Sequence, residues 1–191
     1  MNHAITKQLT QAVLKSPHAL KWSVQGLGML RTYLSDEIRL HIWDKSLKIE
    51  NASPLHDHPW HLDSHIVVGE LRQNRFSLVQ RGIPRGEEFS MAQIKCGKDA
   101  CTLTDTVKVF LRRKSLEAYR EGEEYRQRKD EIHQSFPVDG TVTVVTRKFT
   151  ADRDTARVFW QGTGPFVSAE PRLATYGEVE RITKRALDLW F

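Results

Sequence analysis

Leu55-His56-Asp57-His58-Pro59-Trp60-His61-Leu62-Asp63-Ser64-His65 holds four of the chain's eight histidines and two of its acids within eleven residues. On extended backbone successive side chains leave opposite faces, so His56 and His58 share a face and reach toward one point while Asp57 points away. Imidazole nitrogen suits zinc, iron, nickel or copper, which makes a His-x-His pair on one strand two ready ligands for one ion. Pro59 has no N–H to give a ladder and predicts a turn directly after the second histidine. His61, Asp63 and His65 form a second alternating set on the returning segment, and Asp63 is the best placed of them to add a ligand.

Strand patterns extend in both directions. Upstream, Gly28-Met29-Leu30-Arg31-Thr32-Tyr33-Leu34, the turn Ser35-Asp36-Glu37 and Ile38-Arg39-Leu40-His41-Ile42-Trp43 read as strand, turn, strand. Alternation in the second arm sets Ile38, Leu40 and Ile42 against Arg39, His41 and Trp43. Downstream, a long strand over 64–79 crosses Gly69. Further strands are expected at 124–128, 130–135, 157–160 and, rich in β-branched residues, at 140–149. Residues 80–122 read as an insertion or lid. Gly82, Pro84 and Gly86 mark a loop there, 91–96 and 107–111 suit short strands, and the charged run 112–124 suits one or two helical turns.

The ends read differently. Ile5, Leu9, Ala12 and Val13 recur at helical spacing in 3–16, and Pro17 stops them. A C-terminal helix over 176–190 carries Val179, Ile182, Ala186 and Leu189 on its apolar stripe. The whole predicts one all-β domain over 1–191, with a barrel at about 22–165 between two short helices.

Composition narrows the function. The formal charge is +5, but the basic residues are interleaved with acids, as in Glu123-Glu124-Tyr125-Arg126-Gln127-Arg128, so nucleic-acid binding ranks behind a small anionic ligand. No apolar run approaches the 18 residues of a membrane span. Cys96 and Cys101 match no closed zinc motif and suit free thiols, which makes a soluble cytoplasmic protein the expectation. No Walker motif, GxSxG or HExxH occurs.

The histidine stretch resembles the first signature of the cupin superfamily: His-x-His, three or four residues, an acidic ligand, about six residues, then glycine. Gly69 stands at the glycine position and Asp63 at the acidic one, where glutamate is usual. Gly122-Glu123-Glu124-Tyr125-Arg126-Gln127-Arg128-Lys129-Asp130-Glu131-Ile132-His133 resembles the second signature, with His133 as its histidine, although the usual Pro-x-Gly turn is absent. His-x-His-Pro-Trp is also similar to small bacterial and phage cupin-like proteins. The resemblance spans roughly 30–149. It implies a double-stranded β-helix (jelly roll) in which His56, His58 and His133 hold a metal, with Asp63 as a fourth ligand left open. Three-histidine cupins of the cysteine-dioxygenase-like kind hold iron, so iron comes first, with zinc or nickel as alternatives.

Further expectations attach to the same site. Arg72, Arg75 and Arg147 lie on strands that flank the metal, where an inward guanidinium would grip a carboxylate or phosphate. Tyr125 could donate to a metal-bound group. The resulting expectation is a metal-dependent, dioxygenase-like oxidoreductase acting on a small molecule, with a non-catalytic cupin module for a ligand or protein partner as the alternative. Cupins commonly pair, so a homodimer fits as well.

Overall fold

The periodicity of two plays out along most of the chain. The computed structural model describes residues 2–48, 54–96, 101–103, 106–149, 155–162 and 171–191. Helix α1 (His3–Lys15) leads into β1 (Trp22–Gln25), β2 (Leu27–Tyr33), β3 (Ile38–Lys48), β4 (Leu55–His56), β5 (His61–Val68) and β6 (Glu70–Val79). Then come β7 (Glu87–Cys96), β8 (Cys101–Leu103), β9 (Val107–Arg120), β10 (Glu124–Gln127), β11 (Ile132–Pro137), β12 (Val142–Lys148), β13 (Ala156–Trp160), β14 (Arg172–Leu173) and α2 (Tyr176–Trp190).

Two antiparallel sheets result. The first is a seven-stranded sheet in the order β10-β5-β12-β3-β2-β1-β14. Alternation gives it two faces of different character. Leu30, Leu40, Ile42, Val142 and Val144 pack on one side with Leu14 of α1 and Val179, Ile182 and Ala186 of α2. His41, Thr143 and Arg39 lie on the other, because β3 pairs with β12 in the register His41↔Thr143 and Arg39↔Val145. Helix α2 begins with a capping box, Thr175 and Glu178 satisfying each other's backbone N–H groups.

The second sheet runs β13-β4-β11-β6-β9-β7-β8, and an added β13–β7 pairing closes six of its strands into a barrel. Each of those strands sends an apolar side chain inward: Leu55, Phe76, Phe89, Leu111, Ile132 and Phe159 form one cluster with Met91 and Val109. Closure removes sheet edges, which long exposed strands otherwise leave unpaired. All-β architecture with a barrel and two helices is therefore what the structure contains.

Several expectations change in detail. The charged run after 111 is not helical. It continues β9 to Arg120, because Leu71 to Arg75 of β6 and their successors hydrogen-bond along it and its polar side chains are exposed. The buried face of α1 is Thr6, Thr10 and Leu14, while Ile5 and Leu9 are exposed, and Leu189 of α2 is exposed too. The helix rolls by about one residue, since Leu14 must fill the core under α2. Cys96 lies opposite Cys101 in the β7–β8 register; their side chains lie outside the described residues.

Gly69 links β5 to β6 with φ +88°, and a Cβ there would lie 2.5 Å from Thr141 Oγ1 and 2.9 Å from Thr141 Cα. Thr141 uses the space to donate to the Glu70 carbonyl at 2.9 Å and to accept from the Glu70 N–H at 3.2 Å. Only glycine meets both demands.

Candidate metal centre

Strand alternation sets the site. Leu55 enters the barrel interior, so its neighbour His56 leaves through the outer wall toward the first sheet. Ile132 and His133 repeat the pattern on β11. The register β4–β11 places His133 directly opposite His56, and β11–β6 places it opposite Arg75. His58 follows two residues later on the same side as His56. Asp57 between them is fully buried and turned the other way, where it accepts from the Arg157 N–H and from Arg157 Nε, both at 2.6 Å. That ion pair ties the histidine segment to β13.

The three rings converge. Ring centroids are 4.5 Å apart for His56 and His133, 4.8 Å for His56 and His58, and 5.1 Å for His58 and His133. One ligand nitrogen from each lies within 4.8 Å of the others, so this buried group could hold a metal ion. Two rings are oriented from behind. His56 Nδ1 donates to the Pro54 carbonyl at 2.9 Å, and His133 Nδ1 lies 3.2 Å from the Glu131 carbonyl. A carbonyl only accepts, so the His56 proton sits on Nδ1 and its Nε2 lone pair is left for a metal, the usual outer-shell arrangement of ligating histidines. The Gln127 amide contacts the same His133 nitrogen, and Gln127 accepts from Gln73 at 3.1 Å.

Burial keeps these imidazoles neutral. It pulls His58 and His133 well below their ordinary value, helped by the neighbouring rings and, for His133, by Arg75. His56 is lowered by burial against the opposing pull of the Pro54 carbonyl and Asp57. Neutral nitrogen is the form that binds metal. His41 lies across the interface on β3, buried, with Nε2 lacking a partner among the described residues, and it is depressed by burial and by Arg39, Arg31 and Arg147. It stays outside the three-nitrogen group.

The remaining expected residues separate. Asp63 is not in the histidine group: it pairs with Arg126 and Lys148, both at 2.7 Å, on the exposed face of β5. Alternation explains this, since its neighbour Ser64 is buried on the inner face. Arg72 is exposed and bonds Glu70 at 2.7 Å, while Gln73 beside it turns inward. Tyr125 stacks on Tyr119 at 4.4 Å, and burial raises its hydroxyl. Arg147 does face the interior, 8% exposed, with its Nη2 donating to the Asp36 carbonyl at 2.6 Å. Sequence reasoning missed Gln127, Arg31 and Arg39 as neighbours of the site. The Arg39, His41, Trp43 alternation was the signal for Arg39; for Gln127 nothing local points inward.

The first sheet and the barrel wall meet around these groups, and no helix among the described residues is long and apolar enough to cross a membrane. No protein-family model matches the chain, and a search of curated proteins found no significant relative.

Proposed function

We propose that the protein is a cupin-type, metal-dependent protein in which His56, His58 and His133 hold a divalent transition metal, iron first, and act on a small molecule in a dioxygenase-like reaction. The observation that carries this is the convergence of three imidazoles, His133 buried and His56 and His58 partly buried, all lowered by burial, with His56 turned by the Pro54 carbonyl. The first sheet facing β4, β6, β11 and β13 supports a double-stranded β-helix, with β7 and β9 of the insertion closing the barrel on the far side of those four strands. A metal on three neutral imidazoles supplies Lewis acidity, open coordination positions and, for iron, redox capacity. The chain's own residues do the rest. Pro54 and Glu131 hold the rings in register, and Trp60, stacked 5.9 Å from His58, walls the centre from water.

The test is elemental analysis of protein expressed in metal-supplemented medium, wild type against His58→Ala, with His61→Ala as control. His61 accepts from the Lys129 N–H at 3.2 Å and lies outside the group. Near-stoichiometric metal in wild type and His61→Ala, lost in His58→Ala, supports the centre. Wild type that binds no transition metal on reconstitution overturns it. Oxygen uptake by the iron form with small thiols, diketones or acids then separates an enzyme from a binding module.

A further inference from the structure

Beside the histidine group the inner face of the first sheet carries three arginines around one tyrosine. The guanidinium carbons of Arg31, Arg39 and Arg147 lie 5.3, 4.9 and 5.2 Å from the centroid of the Tyr33 ring. Strand register explains the gathering: β2 pairs Tyr33 with Arg39 and Arg31 with His41, and β12 brings in Arg147 two residues past Val145. Trp60 joins the group, 5.6 Å from Arg39 and 5.3 Å from Arg147.

The partners of these cations are neutral. Arg31 donates through Nε to Ser23 Oγ at 3.3 Å, and Gln25, with its amide oxygen turned inward, accepts from both terminal nitrogens at 3.0 and 3.1 Å. Arg147 reaches the Asp36 backbone carbonyl, and the Nε atoms of both Arg39 and Arg147 are buried without a partner among the described residues. Asp36 and Glu37 approach Arg147 closely enough to favour its charge, but neither forms an ion pair with any of the three. Elsewhere the protein pairs its buried guanidinium groups: Arg157 with Asp57, and Arg75 with Glu117 and Glu131.

Three like charges on one ring are unfavourable. Burial, and after it the neighbouring Arg31, pull Arg39 down to about 9, a guanidinium still charged at neutral pH. Cation–π attraction offsets part of the repulsion and cannot satisfy the fork of N–H donors. A buried cationic fork without a counter-ion is the donor geometry that a carboxylate or phosphate completes.

We propose that Arg31, Arg39 and Arg147, with Tyr33 and Trp60, form an oxyanion subsite that takes the carboxylate or phosphate of a small organic ligand. The proposal rests on the metal-centre reading for the ligand's other end. One indole separates the two, because Trp60 stacks on His58 at 17° while meeting Arg39 and Arg147. The half-exposed rings of Tyr33 and Phe149 flank the arginines, and Arg147 lies 4.5 Å from the Phe149 ring. An aromatic border of this kind suits a ligand with a planar body.

Calorimetric titration of the metal-loaded protein with benzoate, phenyl phosphate, inorganic phosphate and the uncharged benzamide tests this. Benzoate or phenyl phosphate should bind at least about tenfold tighter than benzamide, and the stronger of the two names the oxyanion. Arg39→Gln and Arg147→Gln should each weaken that binding roughly 10- to 100-fold. Metal content should stay at the wild-type level, and the Arg39→Gln Tm should stay level or rise, because a repulsive charge is gone. His133→Ala should lose metal and keep inorganic phosphate binding, so failure of the metal centre is read separately from failure of the anion subsite. Equal affinity for benzamide, unchanged anion binding in both arginine variants, or oligonucleotide binding through these arginines that small anions do not match would each overturn the proposal.

Discussion

Acidification should destabilise the metal-free protein steeply between pH 7.5 and 5.5, and the buried histidines set the size of the effect. His41 and His133 are 8% and 4% exposed, and burial lowers both well below the ordinary histidine value. In the unfolded chain they titrate near 6.5. The folded state thus binds fewer protons than the unfolded one, so their contribution is complete above about pH 6.5 and is lost as pH falls below it. A histidine that the fold keeps neutral at pH 5.5 gives up about 1.4 kcal/mol there, and the two together about 3 kcal/mol. His58 and His65 are lowered as well and act in the same direction. For a chain of this size that loss is a fall in Tm of roughly 6–12 °C. Carboxylates do not confuse the window, because Glu178, held down by Arg172 to about 2, and Asp63, lowered by Arg126 and Lys148, stay charged throughout it. Calorimetry in chelator at half-unit pH steps measures the slope, and His133→Ala should reduce it. Added metal should raise Tm at pH 7.5 and do so less at 5.5, where protons compete for the same nitrogens. A Tm that is flat or rises on acidification would refute the neutral, buried state of these rings.

Two further substitutions probe the scaffold of the site. Gly69→Ala places a side chain in left-handed backbone against Thr141, so thermal or urea unfolding should show a loss of at least about 2 kcal/mol; a loss within experimental error would mean that the β5–β6 connection relaxes freely. Asp57→Asn leaves Arg157 without its buried partner and should cost about 3 kcal/mol in urea unfolding. A cost under about 1 kcal/mol would show that the pair does not anchor the histidine segment.

Local pattern was enough for the parts of this protein whose forces are local. The same-face placement of His56 and His58 follows from a period of two. So do the opposite faces of β3, where Leu40 and Ile42 pack under the helices and His41 faces the barrel wall. The apolar stripe Val179, Ile182, Ala186 is likewise read from a period of 3.6 and is buried as expected. Polar runs were less legible. Residues 112–120 carry charges at almost any spacing, and only pairing with β6 makes them a strand.

Local pattern was sufficient to read a β-rich chain, two helices flanking the strands, and His56 and His58 on one face. Which distant residues meet them follows from strand pairing instead. His133 arrives opposite His56 because β4 and β11 are neighbours, and a one-residue slip in that register would turn it into the barrel interior. The same pairing choices turned Asp63 outward to Arg126 and gathered three arginines on Tyr33. Such meetings depend on which strand lies beside which, a property of the closed chain that no window of neighbouring residues contains.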